Sequence, residues 1–169
     1  MYLDSDAFTR CFYYRPRIDY ELLSQHHEGL ICLTACLSGD FNKLLLDGRI
    51  AEAEKYAREM EALFGKGNFF LEIQDHGIAD EKRIIPRIID MSERTGIPLV
   101  ATNDCHYLTR EDAETQDVLM CIQTGKTLDD TDRMRMQSDQ LYVKSEEEML
   151  RLFPGHEDAV QRAHDIAMR

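Results

Sequence analysis

The sequence predicts an α/β fold, because three short apolar runs alternate with two longer stretches of helical period, and glycines punctuate the joins. That order, strand, helix, strand, helix, strand, implies parallel strands joined by crossover helices, arranged as a layer or a barrel. With 169 residues, 43% hydrophobic and 31% charged, the chain can bury a core without covalent staples.

The elements follow in order. Residues 12–17, Phe-Tyr-Tyr-Arg-Pro-Arg, form an aromatic and basic cluster without a period and read as a loop or a broken element. Asp19 can cap a short helix over 19–27 that carries Leu22 and Leu23 on one face and stops at Gly29. Residues 30–33, Leu-Ile-Cys-Leu, suit a buried strand, and Ser38-Gly39 follows as a turn. Ile50, Ala53, Ala57, Met60 and Phe64 recur at three- and four-residue steps, which predicts a helix over 49–64. A strand over 68–73 comes next, then a helix over 80–95 with Pro86 inside it and Gly96 at its end, then a strand over 99–102. Beyond His106 the alternation ceases: a helix over 111–122, a charged loop over 129–138, an extended piece over 141–144, and helices over 146–153 and 157–168. The boundary falls near Gly125, separating 1–124 from an α-rich extension over 125–169.

Charge and composition bound the function. Thirty-two acidic against 20 basic residues give a net charge of −12, which opposes broad adhesion to nucleic acid, so this chain is not expected to grip DNA alone. No apolar run approaches the ~20 residues that span a bilayer, and the first residues lack a secretory pattern. The expectation is a cytoplasmic protein without membrane contact. Cys11, Cys32, Cys36, Cys105 and Cys121 are odd in number and form no C-x-x-C pair, as expected of reduced thiols.

The densest chemistry is Thr102-Asn103-Asp104-Cys105-His106, at the C-terminal end of the third strand, the end where ligands bind in parallel sheets and barrels. In extended geometry Asp104 and His106 point to one side, a carboxylate and an imidazole suited to half a site for Zn, Mn or Fe. The plainer alternative makes Asp104 a cap and His106 a loop residue. Glu72, Gln74 and His76 alternate to one side of the second strand and either line a polar cleft or form a wet strand edge. Cys36 follows the first strand at the same edge, as a further soft ligand or as a small core residue. Gly125-Lys126-Thr127 lacks the upstream glycine of a phosphate loop, since Met120 stands there.

Taken as blocks, Gly29 through Gly39, Phe70 through Gly77, Ile97 through Tyr107, and then the stretches around Asp112, Cys121, Arg133, Leu141 and Glu148 closely resemble successive parts of the bacterial DNA polymerase III alpha subunit family. The resemblance implies a partial distorted β/α barrel, the C-terminal part of a TIM-like polymerase-and-histidinol-phosphatase (PHP) domain over 1–124, and over 125–169 the start of a connection toward the polymerase core. It places family metal ligands on Cys36, Asp104 and His106, with Zn or Mn as the metal and the early H-x-H ligands outside this sequence, and it leaves Glu72, Gln74 and His76 beside the cleft. It further implies that the catalytic carboxylates holding Mg for nucleotidyl transfer lie elsewhere, so this stretch is not expected to polymerise DNA. DNA and other replisome subunits, a proofreading 3′–5′ exonuclease among them, become partners through the parent protein. The alternatives are a free-standing PHP-type phosphoesterase and a non-catalytic interaction module.

Overall fold

The computed structural model describes Phe12, Tyr13, Arg15, Pro16 and residues 18–169, so Cys11 lies outside the described residues. Phe12–Tyr13 (β1) pairs antiparallel with Arg15–Pro16 (β2) within the segment expected to be irregular. Helix α1 (Tyr20–Gln25) begins where Asp19 accepts a hydrogen bond from the Leu22 amide at 2.9 Å, satisfying a donor that a helix start otherwise leaves unpaired. Strand β3 (Cys32–Leu33), helix α2 (Asp40–Leu46), helix α3 (Ile50–Phe64), strand β4 (Phe69–Ile73), helix α4 (Ala79–Thr95) and strand β5 (Leu99–Ala101) follow. After a 3-10 turn at Arg110–Asp112 come α5 (Ala113–Thr124), α6 (Glu146–Leu152) and α7 (Glu157–Ala167).

The three strands form one parallel sheet in the order β3-β4-β5, with Cys32 opposite Phe69 and Leu71 opposite Leu99. Parallel pairing has a direct consequence for function. All three chains leave the sheet at the same edge, so the segments after Leu33, Ile73 and Ala101 converge there.

β4 is buried along its whole length, as a central parallel strand must be. Its Phe69, Leu71 and Ile73 join a core with Ala53, Ala57, Met60 and Phe64 of α3 and Ile84, Ile88 and Met91 of α4. Small alanines at two successive turns of α3 are fully buried, which lets this helix lie close against its neighbours. Gly96, in the left-handed region at φ 77°, ends α4 and turns the chain into β5. The two last helices belong to the same core: Met149 and Phe153 at α6, and Ala159 and Val160 of α7, which packs along β5. Strand-helix alternation ends with β5, yet the helices that follow still cover the sheet.

One element departs from expectation. Helix α2 has no helical period in the sequence, because its seven residues contain a buried asparagine where an apolar face would be continuous, and Leu44-Leu45-Leu46 follow without a period. Phe41, Asn42 and Leu45 face inward. Gly39 permits the entry: a Cβ there would stand 2.5 Å from the Thr34 carbonyl oxygen, so only glycine fits between β3 and α2. Among the described residues no helix is long and apolar enough to cross a membrane.

Since Leu71 is fully buried at the centre of this core, Leu71→Ala is expected to lower the unfolding free energy by about 2–5 kcal/mol in urea titrations. A loss under about 1 kcal/mol would mean that β4 does not carry the core.

Candidate functional site

Polar groups cannot be left unpaired at the converging strand ends, because each buried unsatisfied donor or acceptor costs about 1–3 kcal/mol. Glu72 answers this at the sheet's centre. Its carboxylate accepts the Ala35 amide of the β3 exit at 2.7 Å, the Gln74 side-chain amide at 3.1 Å, and the Thr102 hydroxyl of the β5 exit. The Glu72 amide in turn donates to Thr34 Oγ1 at 2.8 Å, and Gln74 Nε2 also reaches Thr102 Oγ1 at 3.0 Å. One side chain therefore ties three strand ends together. Glu72 and Gln74 are buried and hydrogen-bonded, which excludes the wet-edge reading for this row.

His76 makes a second tie. Its Nδ1 lies 2.6 Å from Glu81 Oε1 and its Nε2 lies 2.9 Å from the Asn103 carbonyl oxygen, while its own amide donates to Glu81 Oε2 at 2.7 Å. Both ring partners are acceptors, so both nitrogens must carry protons and the ring is an imidazolium paired with Glu81. Burial opposes that charge, but the hydrogen bonds to Glu81 and to the Asn103 carbonyl, with the Glu81 charge behind them, raise the His76 pKa above its ordinary value. Glu81 stands in the first turn of α4, where an acidic residue reads as an ordinary helix-start charge.

Asn103 is held from three directions. His76 grips its carbonyl, its Nδ2 donates to the Tyr142 carbonyl, and its Oδ1 accepts Lys144 Nζ at 3.0 Å. The extended piece around Leu141 lies against the loop: His106 N donates to Leu141 O at 2.8 Å, Val143 N to Leu108 O at 3.3 Å, and Ser138 Oγ to His76 O at 2.5 Å. Tyr142 and Ser145 then both bind Glu148, which drives its carboxyl down to about 2 and fixes the start of α6. Burial lowers the Lys144 pKa in the same cluster.

Asp104 does not continue the strand. It sits at φ 37°, a left-handed turn imposed by the anchored Asn103, so the expected extended geometry is corrected. The two side chains nevertheless meet, with His106 Nε2 3.6 Å from Asp104 Oδ2 and both half-exposed. Cys36 lies in the β3–α2 loop at the same edge, half-buried, its carbonyl accepting from Asn42 Nδ2 at 2.9 Å and from Gly39 N at 2.8 Å. Among the described residues no three His, Cys, Asp or Glu side chains stand close enough together to hold a metal ion. Carboxylate and imidazole suit a divalent transition metal, but a resident ion takes three or four protein donors, so Asp104 and His106 by themselves do not make up a site. Gly125 is the left-handed C-cap of α5 and Lys126 pairs with Asp132, which agrees with dismissing a phosphate loop there.

Two outcomes follow. Glu72→Gln, which keeps the shape but turns one acceptor oxygen into a donor, should destabilise the chain by about 1.5–3 kcal/mol in denaturant titrations; a change under about 0.5 kcal/mol would contradict the tie. For His76 the folded pKa is raised, so its stabilisation is fully present below about 6.5 and is lost as pH rises through the folded value. Melting temperature should fall across that window, and His76→Gln should flatten that part of the profile; superimposable profiles would refute the imidazolium.

Comparison with known proteins supplies the lineage. A family model described as PHP domain matches residues 1–76, which include Cys36, Glu72, Gln74 and His76. A DNA polymerase III subunit alpha of Treponema pallidum (strain Nichols) is 49% identical over 169 residues, covering 100% of this chain and 14% of the relative. The same-named subunits of Borreliella burgdorferi and Deinococcus radiodurans are 41% and 42% identical, covering 98% and 92% of this chain and 14% and 12% of those proteins. The chain spans about one seventh of the length of these relatives. With 49% identity to one of these subunits over all 169 residues and a PHP match over 1–76, the chain is homologous to the PHP region of the bacterial DNA polymerase III alpha subunits.

Proposed function

We propose that this chain serves within a replicative DNA polymerase alpha subunit, as the PHP accessory region linked to proofreading. The observation that carries the reading is the 49% identity sustained over the entire chain. In this reading the three-stranded sheet is part of a distorted β/α barrel over 1–124, and residues 125–169 lead toward a polymerase core. Cys36, Asp104 and His106 would supply ligands to a divalent transition metal, Zn or Mn, completed by donors from elsewhere in the longer polypeptide. When bound, such a metal would polarise a phosphodiester and lower the pKa of a coordinated water, supplying a hydroxide nucleophile at neutral pH.

The chain's own part is to hold that edge still. Glu72 fixes the turn before Cys36 through the Ala35 amide, and His76 with Glu81 fixes the peptide before Asp104 through the Asn103 carbonyl. The segment from Ser138 to Lys144 closes over the same loop, so the D-x-H pair is anchored by the stretch that would lead on to the core. DNA, other replisome subunits and a 3′–5′ proofreading exonuclease are then partners of the whole polypeptide, whose nucleotidyl transfer would use Mg on carboxylates outside this stretch. The net charge of −12 fits an accessory surface rather than a DNA-gripping one.

Metal content tests this. The polypeptide carrying this chain, dialysed against buffer and measured by plasma mass spectrometry, should retain Zn or Mn. Asp104→Ala and His106→Ala should each weaken retention by about tenfold or more, with circular dichroism unchanged. Metal retention equal to wild type in both folded variants would reject the ligand assignment.

A further inference from the structure

Asn42 of α2 is 2% exposed, and its Nδ2 donates to the carbonyls of Ala35 and Cys36, each at 2.9 Å. Those two acceptors settle which end of the amide is nitrogen, because a flipped oxygen would face both carbonyls. Oδ1 is then left buried with no partner, and it is the one such side-chain atom among the described residues. A cavity adjoins it, lined by Asn42, Glu72, Gln74 and Glu81 together with Ile84 and Ile88 of α4. Its volume for the centre of a water-sized sphere is about 10 Å³, room for one water molecule.

We infer that this cavity is a binding site for a single structural water that donates one hydrogen to Asn42 Oδ1 and the other to the Glu72–Gln74 polar row. Glu72 accepts three hydrogen bonds, which leaves a carboxylate lone pair, and Gln74 donates through Nε2, which leaves its Oε1 as an acceptor. A water needs two to four polar partners. A hard cation takes about six oxygens, whereas both Glu81 oxygens are already committed to His76 and three of the Glu72 positions to neutral donors. The water links α2 to β4 behind the β3 exit, so the loop holding Cys36 is gripped through Asn42 on one side and through Glu72 on the other. The water's partners, Asn42, Glu72 and Gln74, are not among the proposed metal ligands Cys36, Asp104 and His106, so the two readings fail separately.

A crystal structure of the polypeptide carrying this chain, at a resolution that orders solvent, tests it, with one crystal soaked in rubidium chloride. The expected result is a spherical peak at about 2.7–3.2 Å from Asn42 Oδ1 and in hydrogen-bond range of Glu72 or Gln74, without anomalous signal after the soak. A rubidium anomalous peak in the cavity would overturn the water in favour of a monovalent cation. A cavity closed by repacked isoleucines, or a dry one with Asn42 Oδ1 paired to a protein donor, would overturn the site itself.

Discussion

A carboxylate buried at the centre of a parallel sheet is the constraint on which the other features rest. Strands in parallel register end together, and their ends expose amides and hydroxyls that the sheet no longer pairs. Glu72 takes the Ala35 amide, the Thr102 hydroxyl and the Gln74 amide onto one group, so the exits of β3 and β5 are fixed relative to β4. Ala35 shows what this holds in place. It sits at φ 63°, a region that costs a non-glycine residue roughly 1–2 kcal/mol, and it stays there because Glu72 binds its amide and Asn42 its carbonyl.

The second tie extends the same logic outward. His76 converts the β4 exit into a charged donor pair that binds Glu81 on one side and the Asn103 peptide on the other. Asn103 then passes the constraint to Tyr142 and Lys144, and Glu148 secures that segment to α6. The half-exposed loop that carries Asp104 and His106 is thereby set on rigid supports, so the geometry of the pair does not drift. Because α6 and α7 also close the hydrophobic core over β5, the loop and the last two helices form one mechanical unit.

Much of this was legible in the sequence, for physical reasons. The periods of α3 and α4 and the apolar runs of β4 and β5 place those elements within a residue or two, since a long amphipathic stripe leaves little choice. The polar row Glu72, Gln74 and His76 stood out because alternating polar groups do not belong in a buried strand without partners. What was illegible is where those partners come from. Thr34, Thr102, Glu81 and Asn103 are distant or locally ordinary, and only the parallel register brings them to one edge. Helix α2 escaped notice because Asn42 interrupts its apolar face, and the turn at Asp104 because it is imposed by contacts that Asn103 makes 39 and 41 residues away.

Glu72 holds the strand ends, and the Ala35 amide reports on it directly. Ala35 lies outside helix and strand, so its N–H has no protection except the Glu72 carboxylate. Amide hydrogen exchange followed by NMR should find Ala35 as slow as the Leu71 and Thr102 amides bonded across β4 and β5, and fast in Glu72→Gln. Exchange of Ala35 at the rate of an open loop in the unmodified chain would contradict the account.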